Sequence, residues 1–186
     1  METYDAIMTR RSVPKLSQRV PSRADIERLL DAAVRAPTHH LTQPWRFVVL
    51  SGPALDEFGA AWAAGTEREG QDPSLVPAKA RRAPVVIAVV ANPHLGNPKV
   101  VETEEHQAVG AAMQNILLAA HDAGLGGMLR TGPAAQMKEV RDYLGASDDE
   151  YIGGFIYLGY PPEGDADRPM SRRTDAGELT EWRGDL

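Results

Sequence analysis

Pro84-Val85-Val86-Ile87-Ala88-Val89-Val90-Ala91 is apolar at every position. A strand with one wet face alternates apolar and polar residues. A run without alternation therefore belongs inside a sheet that is covered on both faces. Trp45-Arg46-Phe47-Val48-Val49-Leu50-Ser51, rich in β-branched and aromatic residues, predicts a second strand. Shorter strands are expected around Gly127–Arg130 and Ile152–Leu158. Helices lie between them. Within Thr103–Ala123, Val109, Ala112, Met113, Ile116, Leu117 and Ala120 recur at helical spacing, with Gly124 placed to end the helix. The breadth of that apolar face puts the helix at the centre of the core. Ser22, followed three residues on by Asp25, caps a helix whose buried side is Ile26, Leu29, Leu30 and Ala33, with Pro37 as its stop. Further helices are expected over Tyr4–Arg10, from Pro53 to about Arg68, and over Pro133–Leu144. Gly70–Pro77 reads as a mobile loop. The polar tail from Pro161 suits wrapping around another surface better than packing alone.

Strands separated by helices indicate an α+β or α/β layered fold, and 186 residues fit one domain spanning the whole chain. Gly124-Leu125-Gly126-Gly127 follows a helix instead of opening one, so it fails the context of a dinucleotide-binding fingerprint. The chain carries 20 Lys+Arg against 26 Asp+Glu, a net charge of −6. That balance argues against a nucleic-acid surface, which needs a basic stripe. With no cysteine, disulfides, thiol catalysis and Cys-ligated metal centres are excluded. His39-His40 and the scattered His94, His106 and His121 lack a metal-ligand spacing, so no metal is expected. The aliphatic run at 85–91 is too short to cross a bilayer and the first residues are acidic, so no membrane partner and a cytoplasmic location are expected.

Three segments carry chemistry. Arg10-Arg11-Ser12 offers two guanidiniums and a hydroxyl at the end of a helix, donors suited to a phosphate dianion. The alternative is a pair of arginines that complement the helix dipole. Arg35 to Trp45 is a polar loop between a helix and a strand, containing His39 and His40. An ordinary connection would read the same way. Gly126 to Pro133 lets a ligand approach the backbone and places Leu129, Arg130 and Thr131 beside it. A strand leaving a tight turn is the competing account. Arginine beside a hydroxyl, twice in an acidic chain, favours a phosphorylated ligand.

In this order the segments resemble the FMN-dependent nitroreductase family, most closely its small, minimal-size subgroup. Arg10-Arg11-Ser12 is similar to the family's N-terminal phosphate motif, and Ala36 to Trp45 resembles its loop ending in Gln-Pro-Trp. Gln114-Asn115-Ile116-Leu117-Leu118-Ala119-Ala120 resembles its central helix, Gly126–Gly132 its later flavin loop and Phe155–Pro161 its closing strand. Thr38-His39-His40-Leu41 departs from the Ser-Ser-x-Asn of larger relatives. The resemblance implies a central mixed sheet flanked by helices and a homodimer with FMN at the subunit interface. It implies that Arg10, Arg11, Ser12, Leu129, Arg130 and Thr131 bind the cofactor from one subunit, and Arg35 and His39 from the other. NADH or NADPH would reduce the flavin, which would then reduce a nitroaromatic, quinone or similar small acceptor in a ping-pong cycle. No side chain of the protein is then needed as acid, base or nucleophile. A non-catalytic flavin- or nucleotide-binding protein would use the same clamps. In larger relatives a basic tail residue also meets the phosphate, a position for which Arg172 and Arg173 are the candidates here.

Overall fold

The computed structural model describes residues 1–165 and 168–184. Seven-residue β2 (Val85–Ala91) is buried along its whole length, as a run without alternation requires. It pairs on one side with β1 (Trp45–Ser51) and on the other with β4 (Tyr151–Gly159), which pairs in turn with β3 (Gly126–Arg130). The order is β1-β2-β4-β3 and all three pairings are antiparallel. Among the described residues, the parallel component of the expected mixed sheet is a single bridge, Ser12 to Gly127. Between Val89 and Val90 the register slips, and Gly153 is the extra residue on β4. A Cβ there would sit 2.9 Å from Val109 Cγ1.

Alternate residues of β2 feed two cores. Val85, Ile87, Val89 and Ala91 meet Ile26, Leu29 and Ala33 of α2 (Arg23–Ala33) and Val109, Ala112 and Ile116 of α5 (Glu102–Asp122). Val86, Ala88 and Val90 share the opposite core with Leu55 and Phe58 of α3 (Pro53–Arg68), Ala80 of α4 (Val76–Ala80) and Val140 of α6 (Lys138–Tyr143). The fold is three layers, helices on both faces of one sheet.

Local sequence accounts for two helix ends directly. Ser22 accepts from the Asp25 N–H at 3.1 Å while Asp25 accepts from the Ser22 N–H at 3.1 Å, the reciprocal cap expected for α2. Gly124, at φ +72°, follows the end of α5. Two expectations need correction. The helix foreseen over Pro133–Leu144 is a 3-10 turn at Pro133–Ala135 followed by α6, because Met137 adopts extended backbone to bury its side chain. Part of the segment read as a mobile loop is α4, which has Pro77 in its first turn. Among the described residues no helix is long and apolar enough to cross a membrane.

Candidate flavin site

The first helix, α1 (Thr3–Thr9), stops at Arg10, and the extended chain that follows is stitched to β3. Ser12 bridges Gly127, and the Val13 N–H donates to the Gly127 carbonyl at 3.1 Å. This approach needs bare backbone. A Cβ on Gly126 would lie 2.7 Å from Leu16 Cδ2 and 3.0 Å from Val13 Cβ, and one on Gly127 would lie 2.8 Å from Leu117 Cδ2. The bridge thus joins the segment carrying Arg10, Arg11 and Ser12 to β3, the strand that ends in Arg130.

Their side chains are suited to an anion. Arg10 is half-buried and forms no ion pair among the described residues. Arg130 stands over the Tyr157 ring, its guanidinium carbon 5.8 Å from the centroid. Tyr157 is 3 % exposed, and burial pushes its hydroxyl up to about 12 against the opposing charges of Arg130 and Arg82. Ser12 and Thr131 are exposed. Arg11 pairs with Asp165 at 3.4 Å and donates to the Arg168 carbonyl, while Arg168 donates to the Ser12 carbonyl at 2.8 Å. Arg11, Ser12, Arg168, Ser171 and Arg173 line a cavity of about 370 Å³. Three arginines and two hydroxyls on one edge are a donor set that fits a phosphate dianion. Of the tail candidates, Arg173 lines both this cavity and a second one, and Arg172 lines only the second, together with Asp175 and Glu178.

Sequence reading passed over two neighbours, Arg168 and His121. His121 Nε2 is 2.8 Å from Thr9 Oγ1, whose own hydroxyl donates to the Asp5 carbonyl, so the imidazole is the donor of the pair. Burial first, then the charges of Arg10 and Arg11, hold the His121 pKa below its ordinary 6.5. A lowered folded-state pKa means that protons bind the unfolded chain better. The stability from this group is therefore complete above about 6.5 and is lost as pH falls through the folded value. A phosphate dianion bound at Arg10 and Arg11 should cancel their repulsion and raise the His121 pKa. Proton NMR titration of the His121 ring with and without FMN checks this; an unmoved pKa would place the anion elsewhere.

Arg35 and His39 are not brought to this cluster. Helix α2 lies antiparallel to α5, with Arg28 3.8 Å from Asp122, the Ala32 carbonyl accepting from Asn115 at 3.1 Å, and His39 3.6 Å from Glu104. His121 and Arg10 are at one end of α5 and His39 at the other. At about 1.5 Å of rise per residue, roughly 25 Å of helix separates Glu104 from His121. In one chain, therefore, His39 and the Arg10 cluster stand at opposite ends of α5.

The sequence matches the model of the nitroreductase family over residues 7–160. It is 34% identical over 165 residues to the Escherichia coli (strain K12) protein named "Putative NAD(P)H nitroreductase YdjA", spanning 87% of this chain and 89% of that one. A Desulfovibrio desulfuricans structure named "putative nitroreductase in complex with fmn" superposes with a TM-score of 0.76 at 27% identity, covering 100% of this chain and 99% of that one. A nitroreductase-like family protein from Bacillus cereus shares the fold with a TM-score of 0.86 at 22% identity, over 98% and 96% of the two chains. With sequence, motif order and three-layer fold in agreement, the chain belongs to the nitroreductase family, a family of oxidoreductases.

Proposed function

We propose that this chain is an FMN-dependent NAD(P)H oxidoreductase, acting in the cytoplasm as a homodimer with the flavin between its subunits. Its second substrates are nitroaromatics, quinones or similar small acceptors. The observation that carries the reading is the Ser12–Gly127 bridge, which joins the segment carrying Arg10, Arg11 and Ser12 to the strand that ends in Arg130. In this reading Arg10, Arg11, Ser12, Arg130 and Thr131 hold the phosphate, with the Leu129 segment along the ribityl chain. Arg35 and His39 close the site from the second subunit, because no single chain brings them within reach. Tyr4, Ile7 and Met8 are exposed on α1 beside the phosphate cluster, an apolar surface of the kind an interface covers. The nicotinamide in the name of the E. coli relative and the FMN of the D. desulfuricans structure support the choice of cofactors.

FMN, when bound, would supply the redox chemistry, hydride acceptance from the nicotinamide and reduction of the acceptor. The chain's own task is to anchor the phosphate, fix the orientation of the ring and bring the second subunit over it. No acid, base or nucleophile is assigned to it. The test is a visible spectrum of the purified protein with FMN. Addition of NADH or NADPH under anaerobic conditions should bleach the flavin band, and 1,4-benzoquinone should restore it. A protein that binds FMN without bleaching would be a flavin carrier, and one that leaves FMN free would end the proposal.

A further inference from the structure

We infer that Glu105 is a positioning residue: its buried carboxylate sets the shape of loop 39–43 and thereby orients His39 toward the flavin site of the partner subunit. The cause is read from geometry, and the consequence rests on the proposed function.

Glu105 is 1 % exposed, in the first turn of α5. Burial of a carboxylate is costly unless its oxygens are matched by donors, and here both are. Oε1 accepts from the Thr42 hydroxyl at 2.6 Å and Oε2 from the backbone N–H of His94 at 3.0 Å. The start of a helix also favours the negative charge. One side chain therefore ties two loops, 39–43 and 92–98, to the central helix.

The first of these loops needs holding. His40, Leu41 and Gln43 have φ of +54°, +55° and +48°. That left-handed region disfavours any residue with a Cβ, and such strain persists only where the surroundings over-determine it. The loop's own backbone bonds are local: Thr42 N–H to the His39 carbonyl at 3.2 Å and Trp45 N–H to the Gln43 carbonyl at 2.7 Å. The bond from Thr42 to Glu105 is what anchors the middle of the loop to the core. With Thr42 drawn inward, His39, His40 and Leu41 are left exposed, Leu41 at 84 %. These are the side chains a second subunit's flavin would meet.

Three variants test the assignment. Thr42→Val removes the donor at nearly constant shape, Thr42→Ser keeps it, and Glu105→Gln turns an amide N–H₂ toward one of the two donors. Amide hydrogen exchange on the FMN-free protein reads the loop directly. Fluorescence titration gives the FMN Kd, and steady-state turnover with 1,4-benzoquinone separates KM from kcat. Thr42→Val and Glu105→Gln should speed exchange of the amide at position 42, weaken FMN by about tenfold and raise the quinone KM more than they lower kcat. Thr42→Ser should behave as the parent chain. If Glu105→Gln does not fold, the Val and Ser pair decides. Folded Thr42→Val with parental exchange, Kd and KM would overturn the inference. If the parent chain itself does not bind FMN, the flavin reading fails separately, and equal loop exchange in Thr42→Val and Thr42→Ser would still refute the clamp.

Discussion

Replacing Arg10 and Arg130 together by alanine is expected to weaken FMN binding by about a thousandfold while leaving the fold intact. A hydrogen bond to a charged group contributes about 1.5–3 kcal/mol, so losing two costs about 3–6 kcal/mol, and every 1.4 kcal/mol is tenfold in affinity. The native structure loses little in exchange. Arg10 forms no ion pair among the described residues, and Arg130 meets the Tyr157 ring only at 5.8 Å. Arg11 is a poorer choice for this experiment because Asp165 and the Arg168 carbonyl already engage it. Titration of FMN and of riboflavin, which lacks the phosphate, provides the measurement. The double variant should lose the parent chain's preference for FMN over riboflavin. Parental FMN affinity in the double variant would show that the phosphate is bound elsewhere.

The second large effect concerns two chains. Under the proposed function, a homodimer of Arg10→Ala/Arg130→Ala lacks one half of each site, and a homodimer of Arg35→Ala/His39→Ala lacks the other half. Both should be close to inactive. Unfolded together and refolded at equal concentration, they should recover about a quarter of the parental activity, because half the dimers are mixed and each mixed dimer holds one intact site. The expectation follows from the roughly 25 Å of helix between His39 and the phosphate cluster, which no side chain spans. A site built within one chain would show no recovery at any mixing ratio. Activity counted per subunit, followed against the mixing ratio, is the deciding measurement.

What the sequence disclosed and what it withheld follow from the range of each force. The strand at 85–91 and the helix beginning near residue 102 were legible because burial leaves a periodic mark within the element itself. The break before α6 was not. It arises because Met137 is buried beside α3, where a Cβ on Gly65 would lie 2.8 Å from its sulfur, a demand with no local signature. At five residues α4 was too short for periodicity, although Pro77 was a start signal. In the candidate site, the two arginine–hydroxyl pairs were visible as residue types. The link between their segments depended on a bridge between residues far apart in the sequence. Arg168 lies in a tail without pattern, and Glu105 was indistinguishable from its acidic neighbours Glu102 and Glu104 until its burial was known.

All the candidate site residues lie outside α3, α4 and the turn between them, elements that cover the far face of the sheet. Gln71, in that turn, is exposed, and the chain has no cysteine. Gln71→Cys would therefore install a unique thiol behind the sheet. Tethered there to a gold electrode, each subunit would turn its helix α5 layer to the solution, with its redox partners free to arrive.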